Sequence, residues 1–193
     1  MRHAPAFVIA CALGVVTGCS SPPANFYTLS ATAAPGPAPS KLGVAVGPVS
    51  VPSTIDRPQI VVSTGANQVA IDDFNRWASP VQDNLVRVVA ENLVAILGTP
   101  RVTLYPTLAA DVDFRVQIEV RNFESAPGKY ASLDAVWTVR RTKDGKSETG
   151  RTSVREPISE SGYDALVAAH SRGVARLSQD IADAIRALDR GAS

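Results

Sequence analysis

Cysteine and histidine each occur only twice in the 193 residues, and methionine once. Two cysteines do not make a disulfide scaffold, and no group of Cys and His has the spacing of a zinc cluster. Aromatic residues make up 6% of the chain, too few for a base-stacking surface. Lys and Arg number 19 against 18 Asp and Glu, a net charge of +1. That balance lacks the basic footprint of a nucleic-acid binder, and equally any acidic disordered tail. There is no phosphate-cradling Gly-rich loop ending in Gly-Lys-Ser/Thr and no Gly-x-Ser-x-Gly elbow, so no nucleotide or other cofactor is expected. No apolar run reaches the roughly 20 residues that a bilayer-spanning helix needs. What is present, a length of 193 residues with 45% hydrophobic content, suits a single domain with a sizeable core.

The first residues are apolar but short. Arg2 and His3 precede an apolar stretch over residues 6–16, which ends in Val16-Thr17-Gly18-Cys19. A basic start and a short apolar centre fit a secretory signal. An aliphatic residue, two small residues and Cys resemble the lipobox of bacterial lipoproteins. The resemblance implies that residues 1–18 are removed and that Cys19 becomes the acylated first residue of the mature chain. Arg2, His3 and Cys11 are then lost, leaving His170 as the only histidine and Cys19 as the only cysteine. Ser20 and Ser21 follow Cys19, with no Asp to signal retention at the inner membrane; by the same resemblance the protein is expected at the outer membrane, on its periplasmic face.

Beyond the anchor, residues 31–40 read Ala-Thr-Ala-Ala-Pro-Gly-Pro-Ala-Pro-Ser, the composition of a stiff extended spacer. Residues 19–40 are therefore expected to be a lipidated tether and spacer, and residues 41–190 the folded domain. Phe26, Tyr27 and Leu29 interrupt the tether as a docking segment or a short edge strand. Residues 44–51 form a β-branched strand in which Gly47-Pro48 implies a bulge or an edge. Two short strands over 59–63 and 68–71 flank a Gly65-Ala66-Asn67 turn. Ser79 with Pro80 and Gln82 predicts a capped helix start, and the apolar stripe Val81, Leu85, Val89, Leu93 and Leu97 predicts a core-facing helix that closes at Gly98. A short strand follows over 102–105.

Phe114, Val116, Ile118 and Val120 then alternate with charged and polar residues, a strand with one wet face. Leu133, Ala135, Trp137 and Val139 repeat the pattern. Asp144-Gly145 predicts a tight turn into a polar edge strand over 148–155. Leu166, His170, Val174, Leu177, Ile181, Ile185 and Leu188 share one stripe of a last helix starting near Ser161. The expected fold is α/β, one domain with a mixed, mostly antiparallel sheet and two long helices packed on it.

Catalytic candidates are few. His170 lies on an apolar stripe, which suits a half-buried structural imidazole. Asp72 and Asp73 are adjacent acids on a turn, where solvation or capping is the ordinary role. The segment around Asp56, Arg57 and Pro58 is more distinctive, because two prolines stiffen the loop that carries it. Arg76-Trp77 stands just before the predicted helix cap, and Arg and Trp are the usual anchors of an interface. Trp77 is either such an anchor or a staple of the helix start to the core. Arg57 is either a contact residue or a brace to Asp56 or the backbone. The intervening hairpin predicts that Arg57 and Arg76-Trp77 lie close together.

In the order lipobox, Phe26-Tyr27-Thr28-Leu29, Val49-Ser50-Val51-Pro52, Asp56-Arg57-Pro58-Gln59-Ile60-Val61 and Arg76-Trp77-Ala78, the chain resembles the paraquat-inducible protein C family, within the wider auxiliary lipoprotein component of ABC-type transporters. The resemblance implies a non-catalytic outer-membrane lipoprotein. Its expected partners are a periplasmic protein with mammalian-cell-entry (MCE) domains and the inner-membrane transporter subunits that move lipid between membranes. It leaves self-association into a homo-oligomer open. Ser53-Thr54 stands where many relatives carry an aromatic. The alternative reading is an outer-membrane lipoprotein that activates a cell-wall synthesis enzyme or aids envelope assembly.

Overall fold

The computed structural model describes residues 23–106 and 112–191. The expected signal segment and the acylation site Cys19 lie outside the described residues. Among the described residues, no helix is long and apolar enough to cross a membrane.

Strand β1 (Asn25–Tyr27) is followed by β2 (Val44–Ser50), β3 (Gln59–Gly65) and β4 (Gln68–Trp77). Helix α1 (Val81–Leu97) and strand β5 (Val102–Leu104) come next. Then β6 (Phe114–Ala126), β7 (Tyr130–Arg141) and β8 (Ser147–Pro157) lead into helix α2 (Tyr163–Arg190). The α/β class and the two long helices are as expected, but the strands form two sheets. The larger has the order β5-β2-β6-β7-β8, and the smaller β1-β4-β3. The long ladders β6–β7 and β7–β8 are antiparallel, whereas β2 runs parallel to both of its neighbours. The 52–58 loop separates β2 from β3, so the β3–β4 hairpin pairs with β1 and makes no ladder with the larger sheet.

Sequence alternation sets the layers. Phe114, Val116, Ile118 and Val120 are buried while Arg115, Gln117, Glu119 and Arg121 face water. Leu133, Ala135, Trp137 and Val139 continue the buried face on β7. Both helices lie on that face with Leu85, Leu93, Leu166, Leu177 and Ile181 almost wholly enclosed. Gly150 sits opposite Trp137 on β8, and a β-carbon there would stand 2.2 Å from the indole ring; the bare backbone makes room for it. The indole N–H donates to Thr152 Oγ1 at 3.1 Å, and that hydroxyl donates to Asp180 on α2.

Several local expectations are corrected. Pro80 is extended at ψ 132°, so α1 begins at Val81 and Ser79 makes no side-chain cap. The left-handed close at Gly98, φ 62°, is as predicted. Helix α2 starts at Tyr163, close to Ser161 as expected, with Gly162 at its N-cap. The Gly47–Pro48 position is a register shift of β2 on β6 between Val46 and Val49, inside the sheet and not at its edge. Residues 72–77, expected to be a pre-helix segment, belong to β4, because Asn75, Arg76 and Trp77 pair with β1.

The largest correction concerns residues 31–40. They are no free spacer: residues 29–40 form a strap laid along α1 and α2. Leu29 is buried. The N–H of Ser30 donates to Ser171 Oγ at 3.1 Å, and those of Thr32 and Ala33 donate to Asn92 Oδ1 at 3.1 and 3.0 Å. Gly36 N–H reaches the Ala95 carbonyl at 3.0 Å and Ser40 N–H the Gly98 carbonyl at 3.1 Å. The composition is that of an extended chain, and the conformation is extended, but α1 supplies acceptors for its amides. A β-carbon on Gly36 would stand 1.9 Å from the Ile96 carbonyl oxygen, so only glycine lets the strap approach so closely.

Candidate partner-docking site

The 52–58 loop folds back on itself. Ile55 N–H donates to the Pro52 carbonyl at 3.1 Å, and Arg57 N–H to the Ile55 carbonyl at 2.8 Å. Ile55 is buried and pins the loop to the core. The next carbonyl, of Pro58, accepts from Trp77 N–H at 2.7 Å, and Ala78 N–H donates to the Tyr27 carbonyl at 2.8 Å. Thus β1, the loop and the end of β4 are tied at one point. Between residues 56–58 and residues 77–80 lies a cleft of about 280 Å³.

The structure brings Asp56, Arg57 and Trp77 to this cleft, as the hairpin predicted. Arg76 is not in its lining. It alternates with Trp77 on β4, so it points to the opposite face, where its Nε donates to the Asp73 carbonyl at 2.8 Å. Trp77 is 5% exposed, with its ring 6.1 Å from Phe123 and 6.4 Å from His170. It is the core staple of the two alternatives, and forms the floor of the cleft. Arg57 is only partly exposed, yet its Nε is buried with no hydrogen-bond partner. Among the described residues it makes neither the Asp56 pair nor a backbone brace through its side chain. A rigid loop therefore presents an uncommitted guanidinium beside an aromatic floor.

The acids at 72 and 73 take ordinary roles. Asp72 Oδ1 accepts from the N–H groups of Phe74 and Asn75 at 2.9 and 3.0 Å, capping a bulge, and Oδ2 accepts from Tyr163 Oη at 2.5 Å. Burial raises the Asp72 carboxyl, but the hydrogen bonds from Tyr163, Asn75 and the backbone outweigh it and hold the group below its usual range. Burial, and then the neighbouring Asp72, push the Tyr163 phenol up. This link between the hairpin and α2 was not foreseen, and nothing in the local pattern signals it.

His170 is enclosed, stacked on Phe123 at 3.9 Å, with Nε2 2.8 Å from Ser125 Oγ and Nδ1 unpartnered. Among the described residues, no carboxylate pairs with the ring. Burial pushes its pKa down to about 3 from an ordinary 6.5. The unfolded chain thus binds a proton between those values that the folded chain does not, and stability falls as pH falls through that window, by at most about 1.4 kcal/mol per unit. His170→Leu is expected to fold, losing about 1–3 kcal/mol for the orphaned Ser125 hydroxyl. Its thermal melts from neutral to mildly acidic pH should fall less steeply than those of the parent. Parallel slopes would refute the buried neutral imidazole as the source.

Two solved structures share the fold. Protein XCC0632 from Xanthomonas campestris, of the family DUF330, superposes with a TM-score of 0.71 at 20% identity, over 88% of this chain and 100% of that one. An uncharacterized protein gives 0.69 at 22% identity, over 85% and 99%. No curated protein sequence matches the chain. Residues 27–182 match the family described as the ABC-type transport auxiliary lipoprotein component. That span opens within β1 and runs deep into α2, so it takes in the strap, the Arg57 loop, the Trp77 floor and both sheets. By that match the chain belongs to the ABC-type transport auxiliary lipoprotein components.

Proposed function

We propose that this auxiliary component is a non-catalytic lipoprotein, acylated at Cys19 and held on the periplasmic face of the outer membrane. There it docks the MCE-domain conduit of an intermembrane lipid transporter. The observation that carries the docking role is Arg57: a buried Nε without a partner, on a loop already fixed by Pro58, Trp77 and Ile55. Arg offers two parallel hydrogen bonds to a carboxylate, and a prefixed loop lowers the entropy cost of association. Asp56 stands beside it, exposed, and can pair with a cation on the same partner segment.

Arg57→Ala should weaken binding of the MCE-domain protein by about thirty-fold, equivalent to about 2 kcal/mol for a hot spot. Its melting temperature should stay within about a degree of the parent's, because among the described residues the side chain has no hydrogen-bond partner to lose. Surface plasmon resonance with the detergent-solubilised full chain, beside thermal melts, reads both quantities. Unchanged affinity with a lowered melting temperature would make Arg57 structural. In a pull-down from solubilised membranes, recovery of a cell-wall synthase in place of MCE-domain proteins would favour the envelope-assembly reading instead.

A further inference from the structure

The turn half of the β3–β4 hairpin differs in chemistry from the wet faces of β6 and β8. The wet face of β6 carries Arg115, Gln117, Glu119 and Arg121. The part of the hairpin from Gln59 to Ile71 carries no Asp, Glu, Lys or Arg, and the charges of β4, Asp72, Asp73 and Arg76, come after it. Ile60 and Val62 turn inward and are buried. Their neighbours Val61 and Ser63, with the cross-strand partners Ile71 and Val69, face the other way. Val69 is 64% exposed and Ile71 49%. Phe26, paired with Arg76 on the outward side of β1, is 64% exposed, and Phe74 in the bulge 44%. Exposed aliphatic and aromatic groups clustered in this way mark an interaction surface; Arg76, the β4 partner of Phe26, lies at its root end.

Chain direction says what covers it. β1 runs parallel to β4, with Asn25 opposite Asn75, so β1 begins on the side of β4 that leads back to the Gly65–Gln68 turn. Cys19 stands six residues before Asn25 and is therefore within about 22 Å of it, at no more than about 3.6 Å per residue. β4 covers a comparable distance from Asn75 back to Gln68, at about 3.3 Å per residue. That reach is long enough for an acyl anchor at Cys19 to share a membrane surface with the hairpin turn. The cleft at Arg57 and Trp77 lies at the opposite, root end of the hairpin, where β3 begins and β4 ends.

We infer that the outward apolar side chains of the hairpin, Val69, Ile71 and Phe74, together with Phe26, rest in the headgroup layer of the phospholipid leaflet that holds the acyl chains. The inference rests on the reading of Cys19 as the lipidation site. The contact stays at headgroup depth, because among the described residues β4 has no partner on its β1 side before Asn75, and an unpaired backbone edge is excluded from hydrocarbon. Contact carried by Val69 and Ile71, at the uncharged turn end of the hairpin, depends on apolar area more than on anionic lipid. With the hairpin turn on the membrane, the docking cleft is held on the side of the domain facing away from it.

The mature chain has no thiol other than Cys19, so Val69→Cys and, as a control on the β7–β8 turn, Lys143→Cys each give one site for an environment-sensitive fluorophore. The full lipidated protein is reconstituted in phosphatidylethanolamine/phosphatidylglycerol vesicles containing headgroup-nitroxide lipid. The label at 69 should emit at shorter wavelength and be quenched, and the label at 143 should not. Added salt should leave the quenching unchanged, and Ile71→Glu should abolish it without lowering the melting temperature. Equal quenching at both positions, with acylated Cys19 confirmed by mass spectrometry, overturns the membrane contact and leaves the anchor intact. Absence of acyl mass overturns both. Shielding at 69 that follows protein concentration at constant lipid marks a second copy as the occupant and also overturns it.

Discussion

Replacing Asn92 with alanine is expected to cost about 3–5 kcal/mol of stability, although Asn92 touches neither the cleft nor the hairpin. Asn92 is fully buried on α1. Its Oδ1 accepts the N–H groups of Thr32 and Ala33, and its Nδ2 donates to Ser178 Oγ on α2 at 3.3 Å. Alanine leaves two backbone donors without their acceptor, at about 1–3 kcal/mol each where water does not replace it, and opens a small void between the helices. For a domain of this size the melting temperature should fall by roughly 6–20 °C, at about 2–4 °C per kcal/mol. Elastase, which cuts after small residues, should then clip residues 31–40. Ser178→Ala is the comparison, because it removes the interhelical bond and spares the strap. Its hydroxyl also donates to the Val174 carbonyl within its own helix, so the expected loss is only about 1 kcal/mol. Equal losses in the two variants would mean that the strap adds nothing to stability.

Cys19→Ala should remove lipidation entirely. The mature wild-type protein is expected to begin at Cys19 and to carry acyl mass, because Val16-Thr17-Gly18-Cys19 follows an apolar stretch too short to span a bilayer. Each buried methylene contributes about 0.8 kcal/mol, so several acyl chains give an anchor that does not dissociate on a cellular timescale. The alanine variant should keep its signal segment and carry no acyl mass. Intact-mass spectrometry reads the N-terminus directly, and a wild-type N-terminus at any other residue, without acyl mass, would sink the assignment.

Some of this was legible from residue order because it depends on periodicity alone. A two-residue alternation such as Phe114 to Val120 has only one buried face to offer, and the four-residue steps from Val81 to Leu97 likewise have one. The helix stop at Gly98 and the tight turn at Gly145, φ 74°, followed from the one residue type that takes left-handed backbone without cost. The proximity of Arg57 to Trp77 followed from chain return through a short hairpin. Residue order also contained one unused signal. Asn84 and Asn92 interrupt the apolar stripe of α1 eight residues apart, and buried amides there require partners from outside the helix.

What the sequence by itself determined was the order of the main strands and the two helices, the face that β6, β7 and the helices bury and the turns at Gly98 and Gly145, since these depend on neighbours a few residues away. Only the tertiary structure decided the rest. Residues 31–40 have the composition of a free spacer, and they pack because α1, some sixty residues further on, supplies the acceptors their amides need. Trp77 became a buried floor because Phe123 and His170, from β6 and α2, close over it. Arg76 left the cleft because β4 continues as a strand through it, and strand alternation turns adjacent side chains to opposite faces. The sheet divided in two because the 52–58 loop carries β3 away from β2, a path set by the burial of Ile55. Each of these outcomes depends on contacts between residues distant in the chain, which local pattern does not encode.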